Sequence, residues 1–126
     1  MKNNRFAVVI LSILLFVMTF ALFSPALSFS LVSFDDPVFI THNPIIFNGF
    51  SWQAMKSAFT ELHGDECMYV PLLWISYLLD LKFFGASSTN PWGFHFTSIL
   101  IHALNSVLLY LLLYAFCRKP WRALFF

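Results

Sequence analysis

The chain has 126 residues, of which 60% are hydrophobic and only 10% charged, with 17 Phe and a formal net charge of +1. A soluble domain carries roughly 25% charged residues, so there is too little polar surface to cover a core. A water-soluble globular class is excluded and an integral membrane class remains. The few basic residues flank apolar segments instead of forming a patch, which leaves no footprint for nucleic acid.

In chain order, residues 1–5 carry Lys2 and Arg5 and read as a cytoplasmic N-terminus. Residues 6–23 are apolar apart from Ser12 and Thr19, with a softer extension to 29. About 20 apolar residues in helix cross a hydrocarbon core of about 30 Å, so residues 6–29 are expected to form a first transmembrane helix. Ala26-Leu27-Ser28 has the small residues of a signal-peptidase site. The apolar stretch, however, exceeds the usual ~7–15 residues of a signal peptide, which favours an uncleaved anchor.

Beyond this span comes Asp35-Asp36, followed by Pro37. Two adjacent carboxylates in so uncharged a chain favour uptake of a cation or a proton; a solvated turn before Pro37 is the plain alternative. Asn43-Pro44 and Asn48-Gly49 are turn signals. Ser51 is a good N-cap for a helix over 51–62. Trp52, Met55, Phe59 and Leu62 fall at helical spacing on one face of it. That pattern fits a helix lying flat on a membrane or packing against other protein.

His63, Asp65, Glu66 and Cys67 read as a polar loop, since their spacing matches no standard metal-ligand motif. Residues 71–84 are apolar but contain Asp80 and Lys82. At 1.5 Å per residue they are short for a crossing and read as a helix at the outer interface. Ser76 and Asp80, four apart, share a polar stripe along it, and Trp74 and Tyr77 suit the headgroup level.

Residues 92–117 form the second expected span. Its polar members, His95, Thr97, Ser98, His102, Asn105 and Ser106, lie in its first half and must face protein or water. Arg118, Lys119 and Arg122 make 118–126 a basic cytoplasmic tail, while residues 30–91 hold Lys56 and Lys82 against six acids. The positive ends stay inside. The expected fold class is therefore all-α integral membrane: two transmembrane helices joined by an external loop with two short amphipathic or interfacial helices. Both termini are cytoplasmic, and the loop is periplasmic, or lumenal in a eukaryote. Cys67 and Cys117 then lie near opposite faces and cannot pair.

Four blocks now stand in order: Phe34-Asp35-Asp36-Pro37-Val38-Phe39-Ile40-Thr41; Ser51-Trp52; Tyr69-x-Pro71-Leu72-x-Trp74-x-Ser76 continuing to Asp80 and Phe84-Gly85; and Asn90-Pro91-Trp92-Gly93-x-His95 running into Ile101-His102-Ala103-Leu104-Asn105. Over roughly residues 6–117 the chain resembles the N-terminal portion of the GT-C membrane glycosyltransferases, and in particular protein O-mannosyltransferase-like members that carry tetratricopeptide repeats. It departs from their pattern at Ser98, often Asn, and before Pro71, where no His stands.

The resemblance implies a partial GT-C fold and transfer of a sugar from a polyprenyl-phosphate carrier on the outer or lumenal side. It implies that Asp35 and Asp36 are the acidic pair of the first external loop. Asp36 is the favoured general base, and in some branches such a pair binds a divalent cation. The family has many more spans, so a stretch of this length is expected to be a fragment, inactive without transmembrane helices supplied in cis or in trans.

Other candidates are weighed against plainer roles. Tyr69 and Trp74 are aromatic-belt residues first and sugar-stacking residues second. His95 and His102, seven apart on one helix face, are more readily hydrogen-bonding residues between helices than substrate ligands. The competing function is a small non-catalytic two-span scaffold or subunit, which needs neither the acidic pair nor further spans.

Overall fold

The computed structural model describes residues 2–62 and 68–125. The polar loop expected at His63, Asp65, Glu66 and Cys67 lies outside them. The described residues are mostly helical and form no β-strand. Five helices appear in order: α1 (Lys2–Phe23), α2 (Pro44–Phe47), α3 (Trp52–Thr60), α4 (Pro71–Phe84) and α5 (Trp92–Cys117). Two stretches, Asn4–Ser28 and Trp92–Cys117, are long and apolar enough to cross a membrane.

The chain divides into two compact units. One comprises residues 1–26 and 98–126 and contains α1 and most of α5. Leu11 and Tyr110 share a buried cluster, and the Phe23 ring meets the edge of His102 at 4.8 Å. A residue early in α1 is thus near one late in α5, and the reverse, so the two helices run antiparallel. α1 ends at Phe23 because Pro25 disfavours helical backbone at Ser24. The chain tightens there into a 3-10 turn, Ser24–Ser28, with Ser24 donating to the Ala21 carbonyl at 2.8 Å.

The other unit is residues 27–97. A five-residue π-helical turn, Pro37–Thr41, leads into α2, and α2 and α3 pack on α4. Its core is Ile40, Ile45, Ile46, Ala54, Ala58, Trp74, Leu78, Ala86 and Phe94. The local reasons are visible. Asn43 is buried, donates to the Val38 carbonyl and accepts from the Ile45 N–H, locking the π turn to α2. Ser51 caps α3 by accepting from Ala54 N–H at 3.0 Å. Pro71 opens α4, as suits a residue with no N–H to satisfy, and Gly85 closes it at φ +60°. A Cβ on Gly93 would lie 2.8 Å from that of Phe84 and 3.0 Å from that of Ala86. The glycine lets the first turn of α5 approach the end of α4.

α3 packs through Ala54 and Ala58, while Trp52 is 79% exposed and Phe59 50%. The alanines permit close approach to α4 and Met55 packs against the same core, while Trp52, Phe59 and Leu62 stay exposed.

Candidate functional site

Asp35 and Asp36 stand at the start of the π-helical turn. The Asp35 carbonyl accepts from the N–H groups of Val38 and Phe39 at 3.0 and 3.1 Å, and His42 N–H reaches the Pro37 carbonyl at 2.8 Å. Pro37 at the first position of the turn leaves no backbone donor unsatisfied there. The two acids differ in setting. Asp35 is exposed; Asp36 is half-buried, and its Oδ2 accepts from Val32 N–H at 2.6 Å. That bond folds residues 32–36 into a tight loop and fixes the Asp36 carboxylate while leaving Oδ1 for another partner.

Two further groups join Asp36. Tyr77, on α4, has its phenol pushed above the ordinary value by burial first, then by the negative charges of Asp36 and Asp80. It therefore stays a neutral hydroxyl that feels the negative charge of both carboxylates, and a hydroxyl can donate as well as accept. Asp80, one helical turn on, is only 3% exposed. Its Oδ1 accepts from the Thr97 hydroxyl at 2.5 Å. Burial pushes its carboxyl up to about 6, against the opposing pull of the Thr97 hydrogen bond. Thr97 is the single polar partner shown for it, so Asp80 ties α4 to the first turns of α5. Ser76, its expected stripe-mate, instead donates to the Leu73 carbonyl.

Sequence reasoning assigned neither Tyr77 nor Asp80 to the site. A signal existed: a lone carboxylate in an apolar helix calls for a partner, and a Tyr three residues before it shares its face.

The other sequence candidates separate from this group. Trp74 is 1% exposed and stacks on Phe39 at 5.5 Å; it is a core residue, with no free face for a sugar. Tyr69 is 57% exposed and donates its hydroxyl to the Phe59 carbonyl at the end of α3. His95 places Nε2 3.1 Å from the Phe29 carbonyl, a structural link to the segment that follows the first helix. His102 lies in the antiparallel helix pair against Phe23.

Among the described residues no group of three or more His, Cys, Asp or Glu could hold a metal ion. Divalent cations of the Mg²⁺ and Ca²⁺ type take at least about six oxygen ligands. Asp35 and Asp36 would supply at most two carboxylates to such a set, the remaining ligands coming from water or a bound phosphate. What these residues offer chemically is a fixed carboxylate at Asp36 and, on α4, a neutral phenol that feels its charge and a buried acid at Asp80. Compared with protein-family models, with curated proteins and with solved structures, the chain matches none.

Proposed function

We propose that this chain is the N-terminal part of a GT-C-type membrane glycosyltransferase, similar to the protein O-mannosyltransferase-like enzymes, that uses a polyprenyl-phosphate sugar. In this reading α1 and α5 cross the membrane and residues 27–97 form the outer loop. The acceptor hydroxyl gives its proton to Asp36 as its oxygen attacks the anomeric carbon. The bond from that carbon to the carrier's phosphate oxygen breaks, and the electron pair leaves on the polyprenyl phosphate. Asp36 is the base because it is the member of the pair that is fixed and half-buried; Asp35, exposed beside it, adds negative potential.

The observation that carries this reading is the half-buried Asp36 carboxylate held by Val32 N–H, in a helical loop unit that lies in sequence between two apolar helices. The donor's phosphate needs cations that Lys56 and Lys82 alone do not supply, so further transmembrane helices complete the site. In the full assembly Asp36→Asn should lower sugar transfer about 10²–10⁴-fold, the usual contribution of a general base, with carrier binding unchanged. Asp35→Asn should cost far less. Transfer undiminished in Asp36→Asn would remove the proposed base.

A non-catalytic two-span subunit is the second reading. It is favoured by His102 and Asn105, both exposed on an apolar helix and suited to bonding a neighbouring helix.

A further inference from the structure

The end of the helix pair where α1 begins and α5 ends carries a second constellation. Arg118 takes a left-handed backbone, φ +56°, immediately after α5, and reverses the chain. Pro120 is buried, Arg122–Leu124 form a 3-10 turn, and Ala123 joins the buried cluster of Leu11 and Tyr110. The segment after Cys117 thus packs back against α1 and α5.

Between this segment and the start of α1 lies a cleft of about 430 Å³, lined by Phe6, Ile10, Leu11, Pro120 and Trp121 with Asn4 at one side. Arg5, Lys119 and Arg122 are exposed, and each is next in sequence to a lining residue. Lys2, Arg5, Arg118, Lys119 and Arg122 all fall in this unit, whereas every acidic residue of the chain falls between Asp35 and Asp80 in the other. The sequence of this unit holds no Asp or Glu side chain to neutralise these cations.

We propose that this cleft binds an anionic phospholipid of the cytoplasmic leaflet. Its acyl chain occupies the groove between Phe6, Ile10 and Trp121, and its phosphate is held among Arg5, Lys119 and Arg122. Charge complementarity selects the occupant. An apolar groove edged by unneutralised cations matches a molecule that joins an acyl chain to a negative headgroup. Such basic pockets on the cytoplasmic side are where anionic headgroups collect. Long Arg and Lys side chains reach the headgroup level while their stems cover apolar surface. Trp121 is an amphipathic ring of the kind that sits at that boundary. The site does not depend on sugar transfer; it rests only on α1 and α5 being membrane spans.

The test uses the full chain reconstituted in phosphatidylcholine vesicles containing a minor fraction of lipid brominated near its headgroup. Brominated phosphatidylglycerol is compared with brominated phosphatidylcholine. Quenching of Trp121 is read as the difference between the wild type and Trp121→Phe. The proposal expects phosphatidylglycerol to quench Trp121 about threefold more strongly than phosphatidylcholine, and raised salt to reduce the excess. Arg5→Gln/Lys119→Gln/Arg122→Gln should abolish the excess and keep the baseline quenching. Equal quenching by the two lipids in the wild type overturns the lipid site and leaves the spans standing. Failure of the chain to insert into vesicles overturns the spans and the site together.

Discussion

Asp36 and Asp80 are the same residue type in opposite circumstances. Asp36 keeps water and a backbone N–H, whereas Asp80 is almost fully enclosed and has Thr97. Enclosure makes charge expensive, and the upward push to about 6 has a definite sign for stability. The folded protein holds this proton more tightly than the unfolded chain, whose carboxyl titrates near 4. The group's contribution to folding is therefore fully present below about pH 4 and is lost as pH rises through about 6. Asp80→Asn keeps an oxygen for the Thr97 hydroxyl and removes the charge. It should gain on the wild type by about 1–2 kcal/mol between pH 4.5 and pH 8. Thermal unfolding of the full protein at the two pH values measures that difference. An Asn variant whose offset from wild type is the same at both would mean that Asp80 is not paying for its burial.

At the scale of elements, the close meeting of α4 and α5 depends on Gly93. A methyl group there would overlap the Phe84 and Ala86 side chains, both of which carry other contacts. Phe84 meets Trp92 at 5.2 Å and Phe96 at 5.3 Å, and Ala86 is in the core. Overpacking of this kind costs about 1–3 kcal/mol, more than the helix propensity gained in replacing Gly by Ala. Gly93→Ala should therefore lower the melting temperature, whereas a gain would show that the α4–α5 approach is loose. Much of this architecture is readable from sequence. Ser51, Pro71 with Gly85, and the apolar run from Trp92 to Cys117 mark helix ends by local chemistry, and α4 and α5 have the expected bounds. The π turn and α2 are not readable, because four or five residues carry no period. The packed face of α3 is also hidden. Periodicity reports where the large apolar residues lie, and here the two fully packed positions are the small ones, Ala54 and Ala58, with only Met55 of the large set beside them. The candidate site divides the same way: Asp36 is conspicuous by its neighbour Asp35 and Tyr77 shares a helix face with Asp80, while Thr97 acquires meaning only when the fold brings it to the Asp80 carboxylate.

For the molecule as a whole, the distribution of charge and the antiparallel helix pair make one joint statement. An antiparallel pair returns the chain to the end it started from, and the cations cluster in sequence at that end: Lys2 and Arg5 at the start of α1, Arg118, Lys119 and Arg122 after α5. If the two apolar helices span a membrane, the tendency of basic flanks to stay in the cytoplasm predicts that the acidic residues between them lie outside. The chain's two cysteines, Cys67 and Cys117, report on this without any added label site, since one lies between the two apolar helices in sequence and the other ends α5. A membrane-impermeant maleimide applied to intact cells should modify the wild type through Cys67 alone. Cys67→Ser should become reactive only after the membrane is opened, and then slowly, because the Cys117 thiol is half-buried and 3.5 Å from the Lys119 carbonyl. Modification of Cys67→Ser in intact cells would put the basic end outside. Asp36 would then face the cytoplasm, away from a sugar donor used on the outer surface.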